Sequence, residues 1–316
     1  MENLVFNTVY RSFEEQLNIF ESRGIIIEDR SKALERIKSI NYYKIKEFSM
    51  PFVEKVDENG KIIYKSGTTF KNITDRFYED KNLRLHLLRI LEKFEISFKT
   101  QFAHLLGKKH AAFGYLDFFN WVDRKDYCRH YIKLKENDFK NRLSNNIKKT
   151  KNSMVKDYLE NTKIDEIPIW LVVEIMTFGE IIELYELMFI DYKKHIVKYY
   201  KLDISTFKNW IENLKLIRNM AAHNSNIVDL RFITKPRVKK EWRDILYHTV
   251  DSTGTIIYTN KIATTIMILN EIIPIINADF PGGGIRKILR RLANKTDEGA
   301  KLLGFKDFES ISKLTI

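Results

Sequence analysis

Apolar residues follow a helical period over most of this chain. In the longest such stretch, 72–109, they recur at intervals of three and four residues, which places them on one face of a helix. The same spacing predicts two or three helices within 12–48, polar helices within 124–163 and an apolar helix over 261–277. After residue 284, we expect one basic helix and a short tail.

Start and stop signals each place one end of three of the predicted helices. Gly24 is a C-cap signal for the first helix, and Asp29 or Ser31 is the N-cap of the helix that follows. Farther along the chain, Asp203 or Ser205 begins another helix. These signals separate helices that the apolar period alone would leave joined.

Turn signals predict two β-hairpins among the helices. Asn59 and Gly60 lie between two apolar runs, and a second turn is predicted at 251–254. Pro168 opens a helix that is expected to continue through Gly179. Only 12 Gly and 5 Pro occur in 316 residues, which argues against the turn-rich β-sandwich, propeller and doubly wound α/β folds. We therefore predict a mainly α fold with one or two short β-hairpins.

Positive charge is concentrated in three stretches of the chain. There are 54 Lys and Arg against 42 Asp and Glu, a net charge of +12. The stretches 140–151 and 286–295 contain no acidic residue, and 231–243 contains one. A solvated charged face is the default for any single stretch, but three of them, two with neighbouring aromatics, predict nucleic acid as a partner. The residues expected to bind it are Lys140, Arg142, Lys148, Lys149, Lys151, Lys239, Lys240, Arg286, Lys287, Arg290 and Arg291.

Composition argues against several other classes of protein. The single cysteine, Cys128, excludes a disulfide framework and a thiolate metal cluster. No apolar run approaches the roughly 20 residues of a membrane helix. Acidic residues stand near the N-terminus where a signal peptide would be apolar. We therefore expect a cytoplasmic protein that uses no metal and no cofactor and does not bind a membrane.

The candidate chemistry lies in the segment 210–224, WIENLKLIRNMAAHN. Arg218 and His223 form an Arg-x4-His pattern near the end of the predicted helix, and Asn219 follows the arginine. Asn219 and His223 are four residues apart, so they share a helical face and can form a hydrogen bond. Arg218 and His223 are five apart, which is about 140° around a helix. Because one helix does not easily aim both at one atom, we expect two copies to combine their side chains in a homodimer.

These residue types suit RNA cleavage without a metal. A neutral imidazole takes the proton of the ribose 2′-OH, and a protonated imidazole gives one to the leaving 5′-oxygen. A guanidinium stabilises the negative charge of the phosphorane, and Asn219 would hold the His223 ring. The products would be a 2′,3′-cyclic phosphate and a 5′-hydroxyl. The pattern is short and recurs at Arg243 and His248, so a surface arginine and a helix-ending histidine remain the alternative.

Longer blocks of sequence support the first interpretation. RNMAAHN resembles the Arg-Asn-x-x-Ala-His motif of HEPN-type ribonucleases, and about 12–225 is similar to AbiD/AbiF-like abortive-infection proteins of bacteria. Four further blocks occur in the family's order, within 12–52, 77–106, 113–116 and 167–181. Their markers include Gln16, Gly24, Asn41, Tyr42, Tyr43, Pro51, Asp80, Leu83, Arg84, Glu95, Pro168, Trp170, Glu174, Phe178 and Gly179. The chain departs from the family at Lys99, where arginine is usual.

The resemblance implies a HEPN-like helical bundle with additional helices, a two-copy active site and a toxic endoribonuclease that acts in anti-phage defence. It also implies an antitoxin partner, for which a structured non-coding RNA is the expected form, and a supporting role for Glu95, which would hold Arg218. On this basis, an N-terminal helical region with a hairpin is placed at 1–70. The HEPN-like core with the motif is placed at 71–230, and a basic C-terminal region at 231–316.

Two other functions remain open at this level. The first is a non-catalytic RNA-binding module of a toxin–antitoxin or defence system, in which Arg218 contacts phosphate. RNA binding that depends steeply on salt, without cleavage, would favour it. The second is a protein-interaction scaffold whose charge is compositional. Purification free of nucleic acid would favour that alternative.

Overall fold

The computed structural model describes residues 9–58, 60–162, 166–233, 235–281 and 283–316. This part of the chain contains thirteen α-helices and two separate pairs of antiparallel strands. The predicted mainly α fold with one or two short β-hairpins is therefore confirmed, with two hairpins present. No helix within the described ranges is long and apolar enough to cross a membrane.

The N-terminal region consists of three short helices and a hairpin. Its elements are α1 (Phe13–Glu21), α2 (Arg30–Ser39), α3 (Tyr42–Ser49), β1 (Val53–Val56) and β2 (Ile62–Tyr64). The two strands are antiparallel, with Val53 opposite Tyr64 and Val56 opposite Ile62. The first predicted hairpin is confirmed, although Asn59 of its turn lies outside the described residues.

Side-chain caps set the beginnings of the first two helices. At α1, the Ser12 hydroxyl accepts a hydrogen bond from the Glu15 N–H, and the Glu15 carboxylate accepts one from the Ser12 N–H at 2.6 Å. At α2, Asp29 accepts a hydrogen bond from the Lys32 N–H at 3.0 Å, so Asp29 rather than Ser31 is the cap. Gly24, predicted as a C-cap, lies beyond the end of α1 and makes the following turn at φ 94°, where a Cβ would be strained.

The central element is α4 (Phe70–His110), a helix of 41 residues, about 62 Å long. Its bounds agree with the predicted helix to within two residues. Thr69 caps it in a capping box with Asn72. Leu87, Leu91 and Phe94 lie on its buried face. Helices from the rest of the chain pack on this face, as the predicted apolar period requires.

Five helices follow α4 before the segment that carries the candidate chemistry. They are α5 (Arg129–Lys149), α6 (Ser153–Thr162), α7 (Ile169–Ile175), α8 (Phe178–Leu187) and α9 (Ile190–Tyr199). The single helix predicted from Pro168 through Gly179 is wrong. The helix is interrupted at Thr177, which caps α8. The Thr177 hydroxyl accepts a hydrogen bond from the Glu180 N–H, and the Thr177 N–H donates one to the Glu180 carboxylate at 2.7 Å. The short helix α9 was not predicted from the sequence. Only two of its residues, Ile196 and Val197, are buried.

The last part of the described chain contains four α-helices and the second pair of strands. They are α10 (Ile204–Ala222), β3 (His248–Val250), β4 (Ile256–Tyr258), α11 (Ile262–Ile276), α12 (Gly283–Leu292) and α13 (Asp297–Leu303). Asp203, not Ser205, caps α10. The prediction of only a short tail after the basic helix is wrong, because α13 and the 3₁₀ helix Glu309–Lys313 follow α12. Their apolar residues, including Leu303, are buried in the main core.

Two apolar clusters meet along α4. The smaller cluster joins α1, α2, α3 and β2 to the first turn of α4, and Leu17, Phe20 and Phe48 are fully buried in it. The larger cluster begins at Leu83 and extends to the C-terminal Ile316. In it, α7, α10, α11 and α12 all pack against α4. The proposed boundaries at 70 and 230 stay predictions.

Candidate active site

The sequence motif lies at the last turn of α10, where that helix packs against the middle of α4. Trp210, Leu214 and Ile217 are buried on the packed face. Arg218 lies at the edge of this face, with its side chain 37 % exposed. His223 follows the last residue of α10 and is exposed. The fold therefore presents both predicted residues at one end of one helix.

A carboxylate of α4 holds the arginine. The Arg218 Nε atom lies 3.5 Å from Oε2 of Glu95, whose side chain is only 14 % exposed. The other oxygen of Glu95 lies 3.0 Å from the Lys99 Nζ. One negative charge thus faces two positive charges, which leaves a local excess of one. Such an excess suits an anionic phosphate.

Asn219 contacts the arginine rather than the histidine ring within one chain. Its side-chain Oδ1 accepts a hydrogen bond from the Arg218 Nη1 at 3.4 Å. Its backbone oxygen accepts the His223 N–H at 3.0 Å, which closes the last turn of the helix. Among the described residues, no group forms a hydrogen bond with the His223 imidazole. The ring is therefore open to a substrate, and the structure does not bring the predicted Asn219–imidazole pair together.

The segment directly after His223 is fixed to α4 by a set of contacts that we call the α4 clamp. Asn224, at φ 56°, accepts a hydrogen bond from the Arg84 Nη1 at 2.7 Å. The backbone N–H groups of Ile227 and Val228 donate to Oδ1 of Asp80 at 3.0 and 3.1 Å. Because Asn224 is the next residue in the chain, the clamp limits where the His223 backbone can lie.

The α4 clamp depends on a buried ion pair. The Arg84 Nε donates to Oδ2 of Asp80 at 2.8 Å, and the two side chains are 5 % and 0 % exposed. Burial raises the pKa of the Asp80 carboxyl, whereas the Arg84 charge and the two backbone donors act in the opposite direction. A turn earlier on α4, Arg76 binds Asp229 at 2.5 Å. All of these contacts tie α4 to the segment that follows the motif.

No role was predicted for Asp80 and Arg84, which the sequence identified only as markers of the family resemblance. The spacing of Asp80 and Arg84 could have indicated a buried pair, because both lie on the face of α4 that also carries Leu83 and Leu87. A carboxylate and a guanidinium four residues apart on an apolar face predict a buried pair with further partners.

Eleven basic residues were predicted to bind RNA, and the structure divides them into two groups. Four are paired with carboxylates at 2.7 to 3.0 Å: Lys140 with Glu136, Arg142 with Glu183, Lys239 with Glu271 and Arg291 with Glu79. Seven form no ion pair within the described ranges: Lys148, Lys149, Lys151, Lys240, Arg286, Lys287 and Arg290. None of the eleven shares a hydrogen bond or an ion pair with Arg218, Asn219 or His223 in this part of the chain.

A family model described as Abi-like protein matches residues 35–229. The matched region begins in α2 and ends at Asp229, the last residue of the segment held by the α4 clamp. It therefore includes Glu95, Arg218 and His223. No curated protein and no solved structure matches the chain. Among the described residues, no group of three or more His, Cys, Asp or Glu is arranged to hold a metal ion.

Proposed function

This chain belongs to the Abi-like protein family, an abortive-infection family, and we propose that it is a metal-independent endoribonuclease of the HEPN type that acts as a toxin in anti-phage defence. The observation that carries the proposal is the last turn of α10. There, Arg218 is held by Glu95, and the imidazole of the neighbouring His223 is exposed. The surrounding contacts orient the backbone and leave the two reactive groups accessible.

In the proposed reaction, an imidazole removes the proton of a ribose 2′-OH. The 2′-oxygen then forms a bond to phosphorus, and the bond between phosphorus and the 5′-oxygen breaks. The leaving 5′-oxygen takes the electron pair and is protonated by an imidazolium. Arg218 stabilises the charge on the phosphorane, as a planar guanidinium does for phosphate oxygens. The products are a 2′,3′-cyclic phosphate and a 5′-hydroxyl, and DNA is not cut because it has no 2′-OH.

We propose that two copies form the complete site. One His223 cannot be base and acid in the same step, and a second copy supplies the second imidazole. Leu85, Ile96 and Leu216, on the two helices that carry the site, are 56 %, 56 % and 44 % exposed. Burying such side chains between two copies would favour a homodimer.

The proposal includes RNA as substrate and a structured non-coding RNA as antitoxin. The seven basic residues that form no ion pair in the described ranges support RNA binding, because their charge is not neutralised within the chain. They lie at the end of α5, just after Lys239 and on α12. An RNA that reached these surfaces would contact elements beyond the motif itself.

The test compares three proteins on end-labelled RNA in the presence of EDTA. The parent is compared with the Arg218→Ala/His223→Ala variant and with Arg243→Ala/His248→Ala, which alters the same residue types at the same spacing elsewhere in the chain. We expect the parent and the second variant to cleave RNA to cyclic-phosphate and 5′-hydroxyl ends. The first variant should bind RNA and leave it intact. Equal cleavage by all three would refute the assignment of the site.

A non-catalytic RNA-binding module is the second candidate, and the unpaired basic residues favour it as well. In that case no protein cleaves RNA, and the affinity falls steeply with salt. Replacing Lys149 by Gln should then weaken binding to every RNA sequence and reduce the salt slope by about one phosphate contact. Lys140→Gln is the matched control, because Lys140 is already paired with Glu136.

A further inference from the structure

A cavity lies in the N-terminal region, formed by residues of α1, α2, α3 and the chain beside them. Its volume is about 680 Å³, within the range of about 300–1,000 Å³ typical of small-molecule sites. Five of its lining residues are cations: Arg11, Arg23, Lys38, Lys46 and Lys61. None of its described lining residues is Asp or Glu. We call this space the N-terminal cavity.

The central cation of the N-terminal cavity is Arg23. Its backbone oxygen accepts a hydrogen bond from the Tyr64 N–H at 3.2 Å, which fixes the residue against β2. Its Nη1 atom is buried and has no hydrogen-bond partner among the described residues. The Arg23 side chain acts on the buried Tyr64 hydroxyl, where its charge opposes the rise in pKa that burial causes. This neutral hydroxyl does not balance the guanidinium charge, and no carboxylate is among the described lining residues of the cavity.

Lys46 adds a second positive charge beside Arg23, which favours a bound anion in the cavity. Burial, together with the charge of Arg23, lowers the pKa of Lys46. The two cations therefore act on each other with no carboxylate between them. Like charges in one cavity repel, and a bound anion would relieve that repulsion.

The acidic residues of α1 are engaged elsewhere. Glu14 and Glu21 both bind Arg30 of α2, at 2.8 and 3.1 Å. Glu15, whose charge interacts with Arg11, is held by Ser12 in the capping box. Of the five cations of the cavity, only Arg11 is thus paired by charge with a carboxylate of α1 in these contacts.

Two tyrosine rings border the same cavity. Tyr42 is packed on Phe20, with ring centroids 5.1 Å apart, and its ring contacts Tyr43 edge to face at 5.3 Å. Tyr43 is 46 % exposed. Flat aromatic faces beside cations are the groups that stack on nucleobases.

We propose that the N-terminal cavity binds a phosphorylated nucleotide, with Arg23 and Lys46 on the phosphate and a tyrosine ring on the base. The Arg23 guanidinium is one of the lining groups of the cavity and binds the phosphate oxygens through charge-assisted hydrogen bonds, as arginine does at phosphate sites. The nucleotide comes either free or as the 5′-phosphorylated end of an RNA chain. The proposal does not depend on the cleavage activity, because no residue of the motif borders this cavity.

The experiment measures binding of adenosine 5′-monophosphate to the full-length protein by calorimetry, with adenosine and inorganic phosphate as comparison probes. We expect the nucleotide to bind more tightly than either comparison probe. Arg23→Met should weaken nucleotide binding at least about tenfold, since a charge-assisted hydrogen bond is lost. Tyr43→Ala should weaken binding of the nucleotide but not of phosphate. Lys55→Gln, which removes an exposed charge outside the cavity, should change neither.

Short oligoribonucleotides distinguish the two sources of the nucleotide, a free molecule and the 5′-phosphorylated end of an RNA chain. Because 2′-O-methyl groups block cleavage, methylated trinucleotides with and without a 5′-phosphate can be used with the parent protein. Tighter binding of the phosphorylated trinucleotide than of the mononucleotide identifies an RNA end as the ligand, and the reverse identifies a free nucleotide. The proposal is overturned if no probe binds, if adenosine binds as well as its monophosphate, or if Arg23→Met binds as well as the parent. Inorganic phosphate binding as tightly as the nucleotide would overturn the role of the tyrosines.

Discussion

The end of α10 and the N-terminal cavity are both rich in positive charge, but they hold it differently. Around the motif, three arginines each face a carboxylate: Arg218 with Glu95, Arg84 with Asp80 and Arg76 with Asp229. In the N-terminal cavity, Arg23 and Lys46 share a space with no acidic lining residue, and one nitrogen of Arg23 is buried without a partner.

This difference separates two uses of a cation. A carboxylate beside an arginine reduces its attraction for anions but fixes its position, which suits a group that must meet a transition state. A buried cation without a carboxylate lowers the stability of the free protein and leaves full charge for a ligand. The first arrangement is expected in a catalytic site and the second in a binding site.

The largest expected effect tests this contrast through stability. Arg84→Met leaves the fully buried Asp80 carboxylate without its cation, and we expect the free energy of unfolding to fall by about 3–5 kcal/mol. Arg23→Met, the same replacement in the N-terminal cavity, should change the free energy of unfolding much less, because no carboxylate is among the described lining residues of that cavity. Urea denaturation of both variants measures the difference.

Equal destabilisation by the two replacements would contradict the contrast. It would mean that Arg23 has a structural partner as strong as Asp80. A large loss of stability in Arg84→Met alone would support the contrast. RNA cleavage by this variant should fall as well, since the α4 clamp fixes the segment after His223.

The second prediction concerns the positioning of Arg218 in the proposed active site. Glu95→Gln removes the charge that holds Arg218, and we expect the rate of RNA cleavage to fall by about 10- to 100-fold with little change in RNA affinity. Glu92→Gln is the control, because Glu92 is exposed on the same helix. The measurement is single-turnover cleavage of a defined RNA.

A double-variant cycle tells positioning from a general loss of structure. If Glu95 acts through Arg218, its replacement should have no further effect on cleavage by the Arg218→Ala variant. An additional loss in that background, or an equal loss in Glu92→Gln, would show that Glu95 does not act through the arginine.

Much of the fold could be predicted because it follows from local periodicity. The 41 residues of α4 and the whole of α11 carry apolar residues at helical spacing, and both were placed to within two residues. The break between α7 and α8 was missed because Thr177 and Glu180 form a capping box inside an apolar run, where the period suggests continuity. The C-terminal helix α13 was missed because it is short and depends on tertiary burial.

The candidate site was predictable only in part. Arg218 and His223 stand in one segment of sequence, so a motif can identify them. The α4 clamp joins Asp80 to a backbone almost 150 residues away, and no local pattern shows which N–H groups a buried carboxylate will accept. The N-terminal cavity had the same limitation, because Arg23, Lys46 and Tyr42 are brought together only by the packing of α1 against α2 and α3.

The smallest expected effect is a pH dependence of nucleotide binding in the N-terminal cavity. Burial and the charge of Arg23 hold the pKa of Lys46 below that of an ordinary lysine. As the pH rises through this lowered pKa, Lys46 loses its proton, and the affinity for adenosine 5′-monophosphate should fall. Arg23 keeps its charge, and burial raises the pKa of Tyr42, so neither accounts for the change.

The stability of the free protein should change in the opposite direction over the same range. The unfolded chain holds the Lys46 proton more tightly than the folded chain does, so the free energy of unfolding rises with pH between the lowered pKa and the ordinary value. Lys46→Gln removes both trends while every other group of the cavity stays the same. Calorimetry and urea denaturation of the parent and this variant, at matched pH values, therefore isolate one side chain. If the two proteins showed identical pH profiles, Lys46 would not contact the phosphate, and Arg23 alone would have to bind it.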